Sequence, residues 1–261
     1  MRKIKIASPL FILRHECEKD LFRVLDRLRE LGFDGVEMLG FFGHEPDAIA
    51  RHLRDADWRA MGNHVPCAEF EADFPRVLGD HLTIGASYIS IQLDRPRLPD
   101  GELYRDTLDK LETWSHALAE KGITLLFHNH AGEFYITDGN QTALKRLLSD
   151  APSLKLEPDL GWMGIAGEDP AEYLRLYADR SPVLHFKDYC KAPGTPAGEY
   201  IFRPTGYGII RYPELIGPAL ACEPEWIVTD HDDAYGNDIY HELSLSLNYV
   251  RELIARHTGG R

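Results

Sequence analysis

Short apolar, β-branched runs alternate with longer amphipathic segments along the whole chain. In the longer segments the apolar residues recur at spacings of three and four, which is typical of helices with one buried face. This alternation predicts βαβ units built around a parallel sheet. Eight strands are predicted, at residues 5–8, 35–39, 59–64, 88–93, 124–130, 154–159, 183–187 and 226–231.

Helices are predicted between the strands, for example at 19–31 and 103–121. Each of these two ends at a glycine, Gly32 or Gly122, directly before the next strand, as in ordinary helix-to-strand loops. The length of 261 residues is close to the roughly 250 of one complete (β/α)8 barrel. No linker or internal repeat divides the chain. We therefore predict an α/β fold, a single (β/α)8 TIM barrel that spans residues 1–261 as one domain.

Residues 190–207 are the one long irregular stretch, and they contain several Pro and Gly residues. The stretch follows the seventh predicted strand. In a barrel this position lies above the mouth, so the stretch is predicted to be a lid.

Composition narrows the classes of partner. The formal net charge is −13, which disfavours nucleic acid because nucleic-acid binders concentrate Lys and Arg. No apolar stretch is long enough for a signal peptide or a membrane span. The four cysteines form no CxxC pair and are expected to be free thiols. We expect a cytoplasmic protein with a small-molecule partner and no membrane partner, and a homo-oligomer remains open.

Polar residues gather at the carboxyl ends of the predicted strands, the face of a (β/α)8 barrel that carries catalytic residues. They are Glu37, His64, Gln92, His128, His130, Glu133, Asp159, Trp162, His185, Lys187 and Asp230.

Strand geometry relates several of these side chains. His128 and His130 are two residues apart and should share one face. Pro158 cannot donate a ladder hydrogen bond, so the sixth strand should end there, with Asp159 at the rim. Asp159, His185 and Asp230 then lie at one level on three adjacent strands. Because converging buried carboxylates repel one another without a cation, this set indicates a divalent metal such as Mn²⁺, Mg²⁺, Co²⁺ or Zn²⁺.

Other positions keep two interpretations. Glu37 and His64 could contact substrate or form structural hydrogen bonds. Lys187 could pair with Asp188 or Glu157, or act on substrate. Trp162 could belong to the core or stack on the apolar face of a sugar ring.

Five segments together resemble the xylose isomerase-like sugar phosphate isomerase/epimerase family: GVE at 35–37, FHNHAGEF at 127–134, DLGW at 159–162, HFKD at 185–188 and WIVTD at 226–230. The resemblance covers essentially the whole chain. It implies a (β/α)8 barrel with one divalent metal, often Mn²⁺, and it implies Asp159 and His185 as ligands. Two positions depart from the commonest pattern: His128 and Asp230 stand where many members have Glu. The resemblance therefore leaves His128 or Glu133 as the ligand from the fifth strand, and Asp230 as a shorter ligand from the eighth.

These features predict an isomerase or epimerase that removes a proton next to a carbonyl of a sugar or keto-sugar. The metal would act as a Lewis acid, His130 or His128 as the base, and Lys187 as a further catalytic group. Glu37, His64, Gln92 and Trp162 are predicted to contact the substrate. Two alternatives remain: a metal-dependent lyase or dehydratase acting on a keto-sugar or keto-inositol, and a sugar-binding barrel without catalysis. Metal-dependent hydrolysis of nucleic acid is disfavoured by the net charge.

Overall fold

The computed structural model describes residues 3–138, 141–192 and 200–259. Within them, eight parallel strands alternate with helices and pair side by side around a barrel. The strands are β1 (Lys5–Pro9), β2 (Gly35–Leu39), β3 (Ala60–Pro66), β4 (Tyr88–Gln92), β5 (Thr124–His128), β6 (Lys155–Glu157), β7 (Val183–Lys191) and β8 (Trp226–Asp230).

The barrel closes at two seams. On one side β1 pairs in parallel with β8, and Ile6 lies opposite Ile227. On the other side β6 is short, and the seam to β7 is a single parallel bridge between Asp159 and His185. There the backbone N–H of His185 donates to the carbonyl of Pro158 at 3.0 Å. The second seam therefore lies where the polar residues of β6 and β7 meet.

The described residues contain ten α-helices, most of which cover the outside of the barrel. They are α1 (Arg14–Leu31), α2 (Pro46–Asp55), α3 (Cys67–Ile84), α4 (Tyr104–Ala119), α5 (Gly132–Tyr135), α6 (Ala143–Asp150), α7 (Leu160–Ile165), α8 (Pro170–Leu176), α9 (Tyr212–Ala221) and α10 (Ile239–Gly259). Gly32 ends α1 in the left-handed region, with φ of 101°, which favours glycine. Among these helices, none is long and apolar enough to cross a membrane.

The prediction of a single-barrel α/β fold is confirmed. All eight predicted strands exist, and the interval 35–39 matches β2 at both ends. β3 runs two residues further than predicted, to Pro66, whereas β5 ends at His128 and β6 ends directly before Pro158. α1 begins at Arg14, earlier than the predicted start at residue 19, and it contains an irregularity at Asp20.

The prediction that residues 190–207 are irregular is wrong for part of this stretch. β7 continues to Lys191, and Tyr200–Arg203 returns antiparallel to it, so that Phe202 lies opposite Tyr189. Residues 193–199, the middle of the predicted lid, lie outside the described residues. The described parts of the stretch thus include a β-ribbon, in which Tyr200 and Phe202 pack against Trp162.

The amino end of the barrel, which we call the floor, is plugged by Trp226. This side chain is 1% exposed, and a Cβ at Gly35 would approach its ring to 2.8 Å. Lys5 lies over the Trp226 ring at 4.8 Å and forms an ion pair of 3.0 Å with Glu225. The Tyr88 hydroxyl donates to the same carboxylate at 3.0 Å. The floor is therefore filled by apolar packing with its polar groups paired.

Candidate metal and active site

A cavity of about 150 Å³ opens at the carboxyl ends of the strands. Alternation along β2, β3, β4 and β5 places Glu37, His64, Gln92 and His128 in its wall, and β7 and β8 add further polar side chains. His130, two residues beyond His128, also lines the cavity, which confirms that these two imidazoles share one face. The cavity thus collects most of the residues singled out from the sequence: Glu37, His64, Gln92, His128, His130, His185, Lys187 and Asp230.

Asp159, His185 and Asp230 form one group of possible metal ligands. All three are buried, and their donor atoms lie within 4.8 Å of one another. His185 Nδ1 is 3.3 Å from Asp230 Oδ2. The structure therefore brings these three side chains to one level, as the strand pattern predicts. His128 Nε2 lies beside this group, 3.9 Å from Asp159 Oδ2.

A second group contains His64, His128, Glu157 and His185. The Glu157 carboxylate is 3.1 Å from His128 Nδ1 and 3.3 Å from His64 Nε2. Glu37 adds a second carboxylate, 3.2 Å from His64 Nε2 and 3.1 Å from His185 Nε2. His64 thus lies between two buried carboxylates, of which Glu157 also contacts His128 and His185, and Glu37 also contacts His185.

His128 and His185 each direct one ring nitrogen at Asp159 or Asp230 and the other at Glu157 or Glu37. His128 Nδ1 faces Glu157 and His185 Nε2 faces Glu37, while the other nitrogen of each ring faces Asp159 or Asp230. A histidine that binds a metal commonly directs its second nitrogen at a carboxylate, which fixes the ring and its tautomer. The arrangement therefore fits His128 and His185 as ligands supported by Glu157 and Glu37.

Several buried atoms in this region lack hydrogen-bond partners among the described residues. They are the carboxylate oxygens Glu37 Oε1, Glu157 Oε1, Asp159 Oδ2 and Asp230 Oδ1 and the imidazole nitrogens His64 Nε2 and His185 Nε2, whose contacts with Glu37 are ion pairs without hydrogen-bond geometry. Buried polar atoms are rarely left without partners. Carboxylate oxygens and imidazole nitrogens together are suitable donors for a divalent first-row metal. The residues present therefore fit a divalent cation.

Lys187 is the only lysine or arginine among the described residues that line the cavity. Its Nζ is 2.7 Å from Asp230 Oδ2 and 3.6 Å from Asp159 Oδ2, and it also pairs with Asp232. Burial lowers the pKa of Lys187, but the three carboxylates outweigh burial and raise it above its usual value. Lys187 therefore stays a cation. The two partners proposed from the sequence, Asp188 and Glu157, are wrong.

Asp188 has a structural role instead. Its carboxylate accepts backbone N–H groups from Tyr189 at 2.9 Å and from Gly206, Gly208 and Ile210 at 3.0 Å each. These bonds attach the turn after the β-ribbon to the outside of β7. Asp188 thereby holds the strand that carries Lys187 and His185.

Burial and neighbouring charges shift the other ionisable groups. Burial and the Lys187 ammonium lower the pKa of His130 to about 4, so this imidazole is neutral near pH 7. Burial also lowers the pKa of His64, but the Glu37 and Glu157 carboxylates outweigh it and raise that pKa to about 10. Burial raises the pKa of Asp159 to about 7, against the opposing effect of Lys187. The cavity therefore holds both a neutral and a protonated imidazole.

Glu133 belongs to neither of the two groups within the described chain. It lies in the short helix α5, where its Oε2 accepts the backbone N–H of His130 at 3.0 Å. Burial raises the pKa of Glu133 to about 7. Its proposed role as a metal ligand remains a prediction, and the contact that the structure displays is support of the His130 backbone.

Trp162 and Gln92 have different surroundings. Trp162 does not line the cavity. Its ring centroid lies 5.5 Å from those of His130 and Phe202, in edge-on contacts beneath the β-ribbon. Gln92 does line the cavity, and its amide contacts His64 Nδ1 at 3.2 Å. Trp162 therefore packs against His130 from behind, whereas Gln92 can reach a bound molecule.

The sequence interpretation gave no role in this site to Phe11 or Asp232, and it considered Glu157 only as a possible partner of Lys187. Glu157 precedes Asp159 by two positions and so shares its side of the chain, which was a usable signal. Phe11 and Asp232 lie on loops after β1 and β8, and both line the cavity. No periodic pattern marks a loop residue, so only the folded arrangement reveals them.

Comparison with known proteins agrees with the barrel fold. Residues 25–228 match the family model of the xylose isomerase-like TIM barrel. An inosose dehydratase of Geobacillus kaustophilus (strain HTA426) is 36% identical over 189 residues, which cover 64% of this chain and 61% of that protein. An inosose dehydratase of Lacticaseibacillus casei is 26% identical over 188 residues, covering 64% of this chain and 62% of the relative. The matched part therefore spans about three fifths of these relatives.

Solved structures share the fold at lower identity. The probable 3-DHS dehydratase AsbF from Bacillus anthracis superposes with a TM-score of 0.73 at 15% identity, over 95% of this chain and 99% of that chain. A xylose isomerase-like TIM barrel protein from Mycobacterium smegmatis, in complex with magnesium, gives a TM-score of 0.73 at 17% identity, over 97% of both chains. Since the family model covers most of the chain, this protein belongs to the xylose isomerase-like TIM barrel family.

Proposed function

We propose that this protein is a divalent-metal-dependent lyase that removes water from a cyclic keto-polyol of the inosose type. The observation that carries the proposal is the placement of a neutral histidine, His130, in the same cavity as a supported group of metal donors. The curated relatives are named inosose dehydratases, which favours elimination over the isomerase or epimerase activity expected from the motifs.

The proposed metal ligands are His128, Asp159, His185 and Asp230. His128 replaces Glu133 in this set because its ring, and not the Glu133 carboxylate, reaches the group. Mn²⁺ is the proposed ion, since carboxylates suit Mn²⁺, the two imidazoles make a first-row metal a better match than Mg²⁺, and no thiolate takes part. When bound, the cation would act as a Lewis acid that stabilises negative charge on the substrate's carbonyl oxygen.

His130 is the proposed base. It is neutral near pH 7 and can accept the proton from the carbon next to the carbonyl. The electron pair of that C–H bond then forms a carbon–carbon double bond, and the neighbouring C–O bond breaks. Lys187 keeps its proton through its carboxylate partners, so it can protonate the departing hydroxyl as water. Solvent exchange returns a proton to Lys187 and removes one from His130.

Elimination and isomerisation share the first proton transfer and differ in the second step. The test is incubation of the Mn²⁺-loaded protein with 2-keto-myo-inositol in D₂O, with mass spectrometry of the products. Loss of water is the expected result. Deuterium uptake without loss of water would favour an isomerase or epimerase. If neither deuterium uptake nor loss of water occurred, the result would favour a sugar-binding barrel without catalysis.

His130→Gln is the matched variant for this test. It removes the base and keeps a polar side chain at the mouth, so turnover should fall by about two to four orders of magnitude. Metal content should stay at the wild-type level because His130 is not a proposed ligand. Loss of the metal from His130→Gln would instead make His130 a ligand and would contradict the assignment.

A further inference from the structure

Phe11 is an exposed aromatic side chain in the wall of the catalytic cavity. It follows β1 and is 41% exposed, whereas its neighbours Leu10 and Ile12 are 0% and 4% exposed. An exposed phenylalanine between two buried residues loses apolar burial that the fold could otherwise gain. Its place at the cavity therefore suggests a partner from outside the chain.

Arg14 fixes the orientation of this ring. Its guanidinium lies 4.6 Å from the centroid of the Phe11 ring. The same side chain donates to the carbonyl of Phe11 at 2.8 Å and to the carbonyl of Asp232 at 3.3 Å. Arg14 thus packs on one face of the ring and connects the loop after β1 to the loop after β8, while the ring also lines the cavity.

The charge of the cavity selects against anions. Among the described lining residues, Lys187 is the single lysine or arginine, and it is already paired with Asp230 and Asp232. Glu37 adds a further carboxylate to the wall. The other cations here are matched as well, because His64 lies between Glu37 and Glu157 and the proposed metal lies with Asp159 and Asp230. A phosphate or carboxylate on a substrate would therefore compete with these carboxylates for every cation.

We propose that the exposed ring of Phe11 is the platform on which an uncharged ring polyol lies, and that Phe11 determines specificity for such rings. The inference rests on the proposed function, in that the substrate is a keto-polyol. The axial C–H groups of a polyol ring form an apolar face that packs on an aromatic ring, while its hydroxyls face the polar wall. Phosphorylated and carboxylated polyols are excluded.

The direct test is equilibrium binding of myo-inositol, an uncharged ring without a carbonyl, to the metal-loaded protein by calorimetry. Phe11→Leu keeps an apolar side chain and removes the aromatic face, so affinity should fall about three- to tenfold. Phe11→Trp keeps an aromatic face, so this variant should bind myo-inositol about as tightly as the wild type. Tyr207→Leu is the matched control, because Tyr207 is 55% exposed and does not line the cavity, and its affinity should equal that of the wild type.

Two further measurements complete the test. Inositol monophosphate should bind the wild type more weakly than myo-inositol does. With the keto-polyol substrate, Phe11→Leu should raise KM and leave kcat within about twofold, since the residue binds ring and transition state alike. Equal binding of myo-inositol by wild type and Phe11→Leu, no binding by the wild type, or preferential binding of the phosphate would each overturn the inference. Phe11-dependent binding without turnover would keep the inference and reject the proposed lyase.

Discussion

The floor and the mouth of this barrel are filled differently: the floor by a large apolar side chain, and the mouth by buried polar groups. At the floor, Trp226 fills the space left by Gly35, and Lys5 and Tyr88 both bind Glu225. At the mouth, four buried carboxylates converge, and each leaves one oxygen without a hydrogen-bond partner among the described residues: Glu37, Glu157, Asp159 and Asp230. The polar groups at the floor are therefore paired with one another, whereas these four oxygens at the mouth are available to a cation or a substrate.

This difference predicts that substitutions at the two ends have different consequences. A substitution at the floor removes packing and should lower the free energy of unfolding. A substitution at the mouth removes a group held for function, and it should change metal binding or turnover with less effect on folding, because the mouth is built on strand ends outside the packed interior.

The largest expected effect is that of His185→Ala. It removes the residue shared by both donor groups, so turnover should fall to background and metal affinity by more than about 100-fold. Metal analysis of the dialysed protein and activity assays measure both. His231→Gln is the matched control, since His231 is equally buried but binds Glu242 at 3.0 Å outside the barrel. Full metal binding by His185→Ala would contradict the assigned site.

Trp226→Ala should have the largest effect on stability. Removal of a buried tryptophan from the floor leaves a cavity and should lower the free energy of unfolding by about 3–5 kcal/mol. Urea denaturation, with and without Mn²⁺, measures the change, and His185→Ala compared without metal should lose less. If both variants lose the same stability without metal, the contrast between floor and mouth is wrong.

Glu133→Gln should change how stability depends on pH. The pKa of Glu133 is raised from 4.5 to about 7 by burial, so the unfolded chain releases this proton at lower pH than the folded chain. Stability is therefore lost as the pH rises from 4.5 to 7, by about 3 kcal/mol for this group. The glutamine variant should lack that loss, and the difference between the two urea-denaturation profiles across this range isolates it.

The same variant tests the ligand role expected from the resemblance. If Glu133 supports only the His130 backbone, Glu133→Gln keeps its metal. Loss of the metal would restore Glu133 as the ligand from the fifth strand.

The smallest expected effect is that of His64→Gln. His64 touches Glu37 and Glu157, which support the two proposed histidine ligands, so metal affinity should fall by about 10- to 100-fold. Calorimetry with Mn²⁺ measures this change. Unchanged metal affinity together with a raised KM would identify His64 as a substrate contact, which is the role predicted from the sequence.

The sequence by itself determined the fold and the grouping of three site residues, Asp159, His185 and Asp230. Short apolar, β-branched runs and helical apolar patterns are local features of the chain, so they are readable without the fold, and their alternation predicted the eight strands. Asp159, His185 and Asp230 could be placed together because the carboxyl ends of neighbouring parallel strands necessarily meet at one face. The pairing of Lys187 could not be predicted, because a lysine side chain is long enough to reach several carboxylates.

Only the tertiary structure decided how the two sides of the barrel meet. Glu37 and His64 come from β2 and β3, far in the chain from Glu157 and His185, and closure of the barrel brings them within 3.5 Å of one another. Only the structure likewise places Phe11 at the cavity, because it lies on a loop whose sequence has no periodic pattern. Strand patterns specify which residues face inward, but distances across a closed barrel depend on its curvature and on the packing of every strand, which no local segment encodes.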